Sequence, residues 1–455
     1  MDVPSCPAYN LPAEMLLEIF NHICEPPKAL GSPPKVGNRE SGPLLLGSVC
    51  RQWRDIVWSS PTLWTYIHLI LSRNKCAVQT KLLDEYLRRS NGLPLTVVFR
   101  KKSTGGPYEY EDDRTLPLYK LIAKESHRWE AIDIFIPYFC ISRMNHTCVN
   151  LPLLRTAFVE VLRQEGYSLI FIQNATNLRE LGLDFFLWPR PKNPLSYRHL
   201  THFRASKLYS DQVLEILGAT HELRSCFIED IIMESWWTSV PPVHLKNLEY
   251  LTILNSSCSE SNLLEHILSV PVLREFKCGE VSGEYLPLED IMLLLDRSPS
   301  CQLQTLELRA NLFGQDTDRL LERLLRRTTT ISRLVLYFKW EETLSSVIGK
   351  LLNPNHDQVP TGAIIHNDHP VLLPDLEHLE LQCLNTDSLP PVIDLIKYRW
   401  VFGNSATAGF ASDRPQSSAK QFAKIASLRL PGWCSATAME ELRDEVRGGL
   451  AIDFF

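Results

Sequence analysis

One spacing of apolar residues recurs along most of the chain. An apolar residue is followed by two variable residues, a second apolar residue, one variable residue and a third apolar residue; the first unit is Trp129, Ile132 and Ile134. Eleven such units occur, and their first positions are separated by 25, 24, 22, 23, 25, 25, 30, 28, 45 and 49 residues. A single unit is weak evidence because leucine is common, but eleven in sequence indicate a repeat protein.

The spacing predicts one strand in each repeat. The last two apolar residues of a unit lie two positions apart, so on a strand they point to the same side. Between the units, apolar residues follow a helical period. Three such stripes are Val213, Leu214, Leu217; Leu263, Leu264, Ile267, Leu268; and Leu320, Leu321, Leu324, Leu325. Alternating strands and helices predict an α/β fold, a curved solenoid with a parallel sheet inside and helices outside, over residues 129–455.

Two late segments interrupt this solenoid. Residues 353–370 and 403–420 are polar, show no period, and account for the two longest steps; we expect flexible insertions there. After Gly432 a helix is expected at Ala438–Val446, where it would cap the last repeat.

Residues 1–70 have a different pattern, that of three short helices. On the first, four apolar residues share one helical face: Leu16, Ile19, Phe20 and Ile23. The second is predicted from the same period: Leu46, Val49, Cys50, Trp53 and Val57. The third begins at Ser60-Pro61-Thr62 and contains Leu63, Trp64 and Ile67. Three helices of this size have more apolar side chains than they can bury among themselves, and such a surplus is usually buried against a partner or the rest of the chain.

Residues 71–128 link the two parts and form the amino-terminal cap of the solenoid. A helix with Leu83 and Leu87 on one side is expected to end at Gly92 in a left-handed conformation. A strand over Leu93–Arg100, a polar loop and a helix over Leu116–Ala123 follow.

The amino-terminal helices resemble an F-box. The resemblance rests on three blocks in order: Leu11, Pro12, Glu14, Leu16, Leu17, Ile19, Phe20; then Val49, Cys50, Arg51, Trp53, Arg54; then Ser60, Pro61, Leu63, Trp64. The whole chain is similar to the F-box proteins with leucine-rich repeats of mushroom-forming (basidiomycete) fungi. Residues 25–42, rich in Pro, Gly and Ser, are longer than the usual connection in that family and are interpreted as a surface insertion. The alternative is that these helices are an ordinary cap on the solenoid.

The resemblance implies an interaction protein without enzymatic activity. The F-box would dock on the Skp-type adaptor of a Skp-cullin-F-box ubiquitin ligase, with the cullin scaffold, and the repeats would hold an unknown target protein. Ten residues are expected to face or support the adaptor: Leu11, Pro12, Leu16, Leu17, Ile19, Val49, Cys50, Trp53, Leu63 and Trp64. One alternative is a scaffold that binds the adaptor without cullin, and another is a solenoid that binds a small molecule.

Aromatic residues cluster after several predicted strands. In a parallel array these positions lie near one rim of the sheet, and aromatic side chains are favoured in protein interfaces. The candidates for target binding are Phe186, Trp188, Trp236, Trp237, Phe338 and Trp340. The alternative is that they close the ends of the solenoid core.

Net charge, apolar patterning and cysteine spacing argue against several classes of function. The net charge of −6 and the pI of about 6.1 argue against a general nucleic-acid binder, which would show a basic face. The start of the chain lacks the pattern of a signal peptide, and no apolar stretch approaches the length of a membrane span. We therefore expect a cytoplasmic or nuclear protein that does not contact a membrane. Its 12 cysteines include no C-x-x-C pair and are expected to be small core residues rather than disulfides or metal ligands.

The sequence contains no recognisable catalytic motif and implies no cofactor. A metal site would need His366 and His369 with an aspartate such as Asp368. No further ligands follow at suitable spacing, so a solvated loop is the favoured interpretation of this stretch.

Overall fold

The structure of the protein is a computed structural model, which describes residues 11–26, 42–101, 113–161, 170–184, 197–231, 242–254, 261–279, 286–310, 317–338, 373–382, 389–403, 423 and 425–455. The chain forms two compact units, Met1–His221 and Glu222–Phe455, and each is described by itself. The division expected at residues 70 and 128 follows the motifs and stays a prediction.

The first unit begins with a small helical head. It consists of α1 (Ala13–Cys24), α2 (Pro43–Val49), α3 (Arg51–Ser59) and a turn of 3-10 helix at Pro61–Trp64. Pro43 stands in the first turn of α2, where its missing N–H has no helical partner to lose.

The prediction of one continuous second helix is wrong. Cys50 has an extended backbone (φ −155°, ψ 172°), which ends α2 and starts α3. Its Sγ accepts a hydrogen bond from the Trp53 N–H at 3.5 Å and so caps α3. The third predicted helix is only the four-residue turn, and Ile67 belongs to a strand.

In the described part of the first unit, six parallel strands follow the head, and they pair in chain order. They are β1 (Tyr66–Leu71), β2 (Leu95–Lys101), β3 (Trp129–Ile136), β4 (Thr156–Val161), β5 (Glu180–Asp184) and β6 (His202–Ser206). The first three connections contain α4 (Cys76–Arg89), α5 (Leu116–Lys124) and α6 (Tyr138–Thr147), and α7 (Ser210–Ala219) follows β6. Gly92 after α4 has φ +78°, as predicted.

The buried residues of these strands form ladders in register. One ladder is Ile67, Val97, Ile132, Ala157, Leu181 and Phe203; the next is Leu69, Phe99, Ile134, Val159, Leu183 and Ala205. All twelve side chains are buried. No strand could bury its two apolar positions alone, so the strands are stable only as a stack.

Among its described residues, the second unit repeats the arrangement with eight parallel strands, while two further short strands, β8 and β10, pair with each other. In chain order the strands are β7 (Ser225–Glu229), β8 (Val243–His244), β9 (Tyr250–Leu254), β10 (Ile267–Ser269), β11 (Glu275–Gly279), β12 (Thr305–Ala310), β13 (Arg333–Phe338), β14 (His378–Gln382), β15 (Ser427–Leu430) and β16 (Ala451–Phe454). The helices are α8 (Ser261–His266), α9 (Leu288–Asp296), α10 (Thr317–Arg327), α11 (Leu389–Gly403), α12 (Ser435–Glu441) and α13 (Arg443–Arg447). The ladder here is Cys226, Leu251, Phe276, Leu306, Leu334, Leu379, Leu428 and Ile452.

The α/β prediction and the strand predictions are confirmed. The last two apolar residues of each of the eleven units lie on a strand and are buried, and the residue that begins each unit is buried too. The parallel arrangement also includes β1, β2 and β16, which lie outside the units recognised in the sequence.

Two helix predictions are wrong in the second unit. The stripe that begins at Leu263 stops being helical at His266, because Ile267 enters β10 and pairs with Val243. The expected helix Ala438–Val446 is interrupted at Leu442 and gives α12 and α13. The predicted insertions at 353–370 and 403–420 lie outside the described residues, except for Gly403, which is the last residue of α11.

Within the part of the chain that the structure describes, no helix has the length and apolar character needed to cross a membrane.

Replacing one buried ladder residue, or rung, should destabilise the second unit strongly. Leu306 is fully buried on β12, so Leu306→Ala should lower the free energy of opening of this unit by about 2–5 kcal/mol through lost contacts and a residual cavity. Hydrogen exchange of the amides in β11, β12 and β13 measures that loss. Leu293→Ala on the exposed side of α9 removes the same atoms and is the control. Equal losses of protection in both variants would contradict the ladder as the source of stability.

Candidate functional site

Large exposed apolar side chains are concentrated on the first two helices. Six of them are 40–58% exposed: Met15, Ile19 and Ile23 on α1, and Leu44, Leu45 and Val49 on α2. These six residues are called the apolar surface below. Isolated exposed apolar residues are ordinary, but six on two packed helices are more than a small head usually leaves exposed.

The helical period separates this surface from the core of the head. Leu16, Phe20 and Cys24 are spaced four apart along α1 and are buried. Met15, Ile19 and Ile23 are each one residue earlier, which places them on the neighbouring stripe of the same helix. The two stripes together cover more of α1 than the head can bury.

A cluster of aromatic rings fixes the head in place. The ring of Trp64 is fully buried and makes edge-to-face contacts with Trp58 and Tyr86, at 5.5 and 4.9 Å between centroids. The indole Nε1–H of Trp64 donates a hydrogen bond to the Val57 carbonyl at 2.9 Å. Because Tyr86 belongs to α4, these contacts join the head to the first helix of the strand array.

An arginine completes this cluster. The guanidinium of Arg89 lies 4.8 Å from the Trp58 ring centroid and 5.0 Å from that of Trp64. Its Nε donates to Glu85 at 2.6 Å. Cation–π contacts of this kind with a desolvated arginine are worth about 1–2 kcal/mol.

Close packing of α2 on α3 depends on a glycine. A Cβ added to Gly47 would overlap Cζ3 of the Trp58 ring, so a larger residue here would require that ring or α2 to shift. The Nε–H of Arg54 donates to the Gly47 carbonyl at 2.9 Å and adds a polar link at the same point. Gly47 therefore sets how α2 presents its exposed leucines.

Charged side chains border the apolar surface. On α1, His22 lies 3.7 Å from a carboxylate oxygen of Glu18 and 3.8 Å from one of Glu25. These pairs are exposed and contribute little to stability. An apolar centre with a polar rim is the usual composition of a protein interface.

The ten residues predicted for the adaptor surface divide into three groups by burial. Pro12, Ile19 and Val49 are exposed; Leu11, Leu17, Cys50 and Trp53 are half-buried; Leu16, Leu63 and Trp64 are buried. The last three support the head, since they belong to its apolar core together with Phe20 and Val57.

Sequence analysis missed four exposed members of the apolar surface: Met15, Ile23, Leu44 and Leu45. It placed Ile23 on the same face as Leu16, whereas the structure buries one and exposes the other. The spacing of Met15, Ile19 and Ile23 was the available signal, because it defines a second apolar stripe.

Most of the aromatic residues proposed for target binding lie outside the described residues: Phe186, Trp188, Trp236, Trp237 and Trp340. Phe338 ends β13. Their role stays a prediction.

Among the described residues, no group of three metal-ligating side chains lies together. Burial raises the pKa of the Cys24 thiol to about 11 and that of the Cys140 thiol to about 12. These thiols are protonated at neutral pH and behave as small apolar side chains. His366 and His369 lie outside the described residues.

No protein-family model matches this chain, and no curated protein matches it significantly in sequence.

Filling the space at Gly47 should disturb the apolar surface. Gly47→Ala forces α2 away from Trp58, at a cost of about 1–3 kcal/mol for overpacking. Hydrogen exchange in α2 and α3 should rise while the ladder strands stay protected. Ser48→Ala, one residue along on the exposed side, is the control. A Gly47→Ala protein with wild-type protection in the head would contradict this account.

Proposed function

We propose that the chain is the substrate-recruiting adaptor of a Skp-cullin-F-box ubiquitin ligase. The helical head is the F-box and docks on the Skp adaptor, and the strand array is a leucine-rich-repeat solenoid, curved with its helices outside, that holds a target protein. The observation that carries the proposal is the apolar surface, which the chain's own described residues leave exposed.

The form of the head supports docking rather than capping. A cap would turn its apolar side chains towards the repeats and present polar residues to solvent. Here the core residues Leu16 and Phe20 are buried in the head, and Ile19 and Val49 face outward. The aromatic cluster with Tyr86 and Arg89 keeps that surface in a fixed orientation, which lowers the entropy lost on binding.

The strand array supports the second half of the proposal. Successive strands in register offer a broad side-chain surface that can be varied without changing the buried ladder. A protein with two such surfaces acts as a bridge: it raises the effective concentration of the target near the ubiquitin-carrying enzyme and performs no bond chemistry itself. The protonated, buried thiols are compatible with the cytoplasmic or nuclear location expected for such an adaptor.

Charges placed in the apolar surface should abolish adaptor capture. In Ile19→Glu/Val49→Glu, both side chains are exposed, so the head should still fold, but docking would bury two unpaired carboxylates. We expect capture of the Skp adaptor to fall by at least about a hundredfold. Affinity purification from cells followed by quantification of Skp and cullin measures this.

The matched control is Val78→Glu/Val149→Glu, which adds the same charges at two exposed valines of the first unit outside the head. Recovery of adaptor and cullin with wild-type protein supports the ligase role, and recovery of adaptor alone supports the scaffold. If wild-type protein captures neither, or if the two double variants lose capture equally, the docking proposal is refuted.

A further inference from the structure

The face of the second unit's strands opposite the buried rungs carries a patterned row of charges. Side chains between the buried rungs point to the opposite face of each strand. One row runs in register across β11, β12, β13, β14 and β15 and consists of Lys277, Glu307, Val335, Glu380 and Arg429. Neighbouring strands are about 4.8 Å apart. The row therefore holds two carboxylates, one on each side of the buried Val335.

These two carboxylates lie below the surrounding cations and are called the floor carboxylates below. The side chains of Glu307 and Glu380 are each only 11% exposed. Lys277 Nζ lies 3.8 Å from Glu307, and the Arg309 Nε–H donates to Glu307 at 2.7 Å. A carboxylate this deep is tolerated because cations surround it.

Glu380 has the same kind of surroundings. Terminal nitrogens of Arg333 and Arg429 lie 3.7 and 3.4 Å from its two oxygens, and the Gln382 amide donates to it at 2.7 Å. Each floor carboxylate thus orients two cations from neighbouring positions.

The cations are far more exposed than the carboxylates that hold them. The side chains of Arg309, Arg333 and Arg429 are 45–55% exposed. An arginine has five N–H donors, so one that is anchored from below retains donors for a second anion. A floor carboxylate therefore prepares an arginine to bind a carboxylate from solvent at a low entropic cost.

The cations on the outer strands each have a second acidic neighbour. Lys277 also contacts Glu275 at 2.9 Å, and Arg429 also lies 3.6 Å from Asp453. In the described contacts, Arg309 and Arg333 each pair with a floor carboxylate alone. Among the described residues, Arg309 on β12 and Arg333 on β13 therefore each share their N–H donors with one carboxylate.

We propose that this face of the second unit binds an acidic peptide segment, a short stretch rich in Asp and Glu, of a partner protein. The acidic carboxylates pair with Arg309 and Arg333, and Arg429 extends the surface across β15. Arginine is favoured at such sites because its fork matches a carboxylate. The inference deepens the proposed function and rests on it in naming the class of target, but it involves residues remote in sequence from the helical head.

The test uses the full chain and a fluorescent peptide of about ten residues in which glutamate alternates with alanine, since about five extended residues span four strands. Fluorescence anisotropy at low salt measures binding. Arg309→Gln/Arg333→Gln should weaken binding at least tenfold, whereas Arg309→Lys/Arg333→Lys, which keeps the charge, should lose less. Binding should also weaken as salt is raised.

The matched control is Arg326→Gln/Arg327→Gln, which removes the same charge from α10. It should bind as wild type does, and equal weakening in both Gln variants would overturn the proposal as non-specific attraction. Arg429→Gln should weaken binding even if the double variant unfolds, which thermal unfolding detects; unchanged binding in Arg429→Gln, or no binding by wild type, also overturns it. The Ile19→Glu/Val49→Glu protein should bind the peptide normally, which separates this result from adaptor capture.

Discussion

The structure depends on one constraint, the burial of two apolar side chains from each strand of the parallel arrays except β16 against neighbouring strands. In the second unit the rungs Phe276, Leu306 and Leu334 are directly in register. A shift of one residue in any strand would turn its apolar positions to solvent and its charges inward. Register, burial and strand order are therefore fixed together.

The same constraint arranges the opposite face of the sheet. Once Leu306 and Leu308 are buried, Glu307 must point to the opposite face of the strand. There it pairs with Lys277 on the preceding strand and Arg309 on its own. A repeat that keeps the rungs apolar can vary this face freely. That freedom is how a stack of similar strands acquires a surface with a particular chemistry.

The helical head differs from the strand arrays, because it is too small to bury all of its apolar residues. Trp64 provides the anchor: its ring packs between Trp58 and Tyr86, and Arg89 lies against both tryptophans. The apolar side chains left over, including Ile19 and Val49, remain exposed on a framework whose orientation is set by α4. The head presents exposed apolar side chains, whereas the strands of the second unit present arginines held by carboxylates.

The sequence by itself determined the parallel α/β array, because a rung such as Leu306/Leu308 is defined by local spacing and needs no distant contact. It also determined that the head has surplus apolar residues. Tertiary structure decided which of them are exposed: Leu16 and Ile23 follow one helical period, but only packing against α3 and the 3-10 turn buries the first and leaves the second in solvent. Likewise Cys50 fits the period of a helix, yet its extended backbone separates α2 from α3, and Ile267 leaves its helix to pair with Val243. The charged row arises only from register, since Lys277, Glu307 and Glu380 are far apart in sequence and are aligned in one row by strand pairing alone.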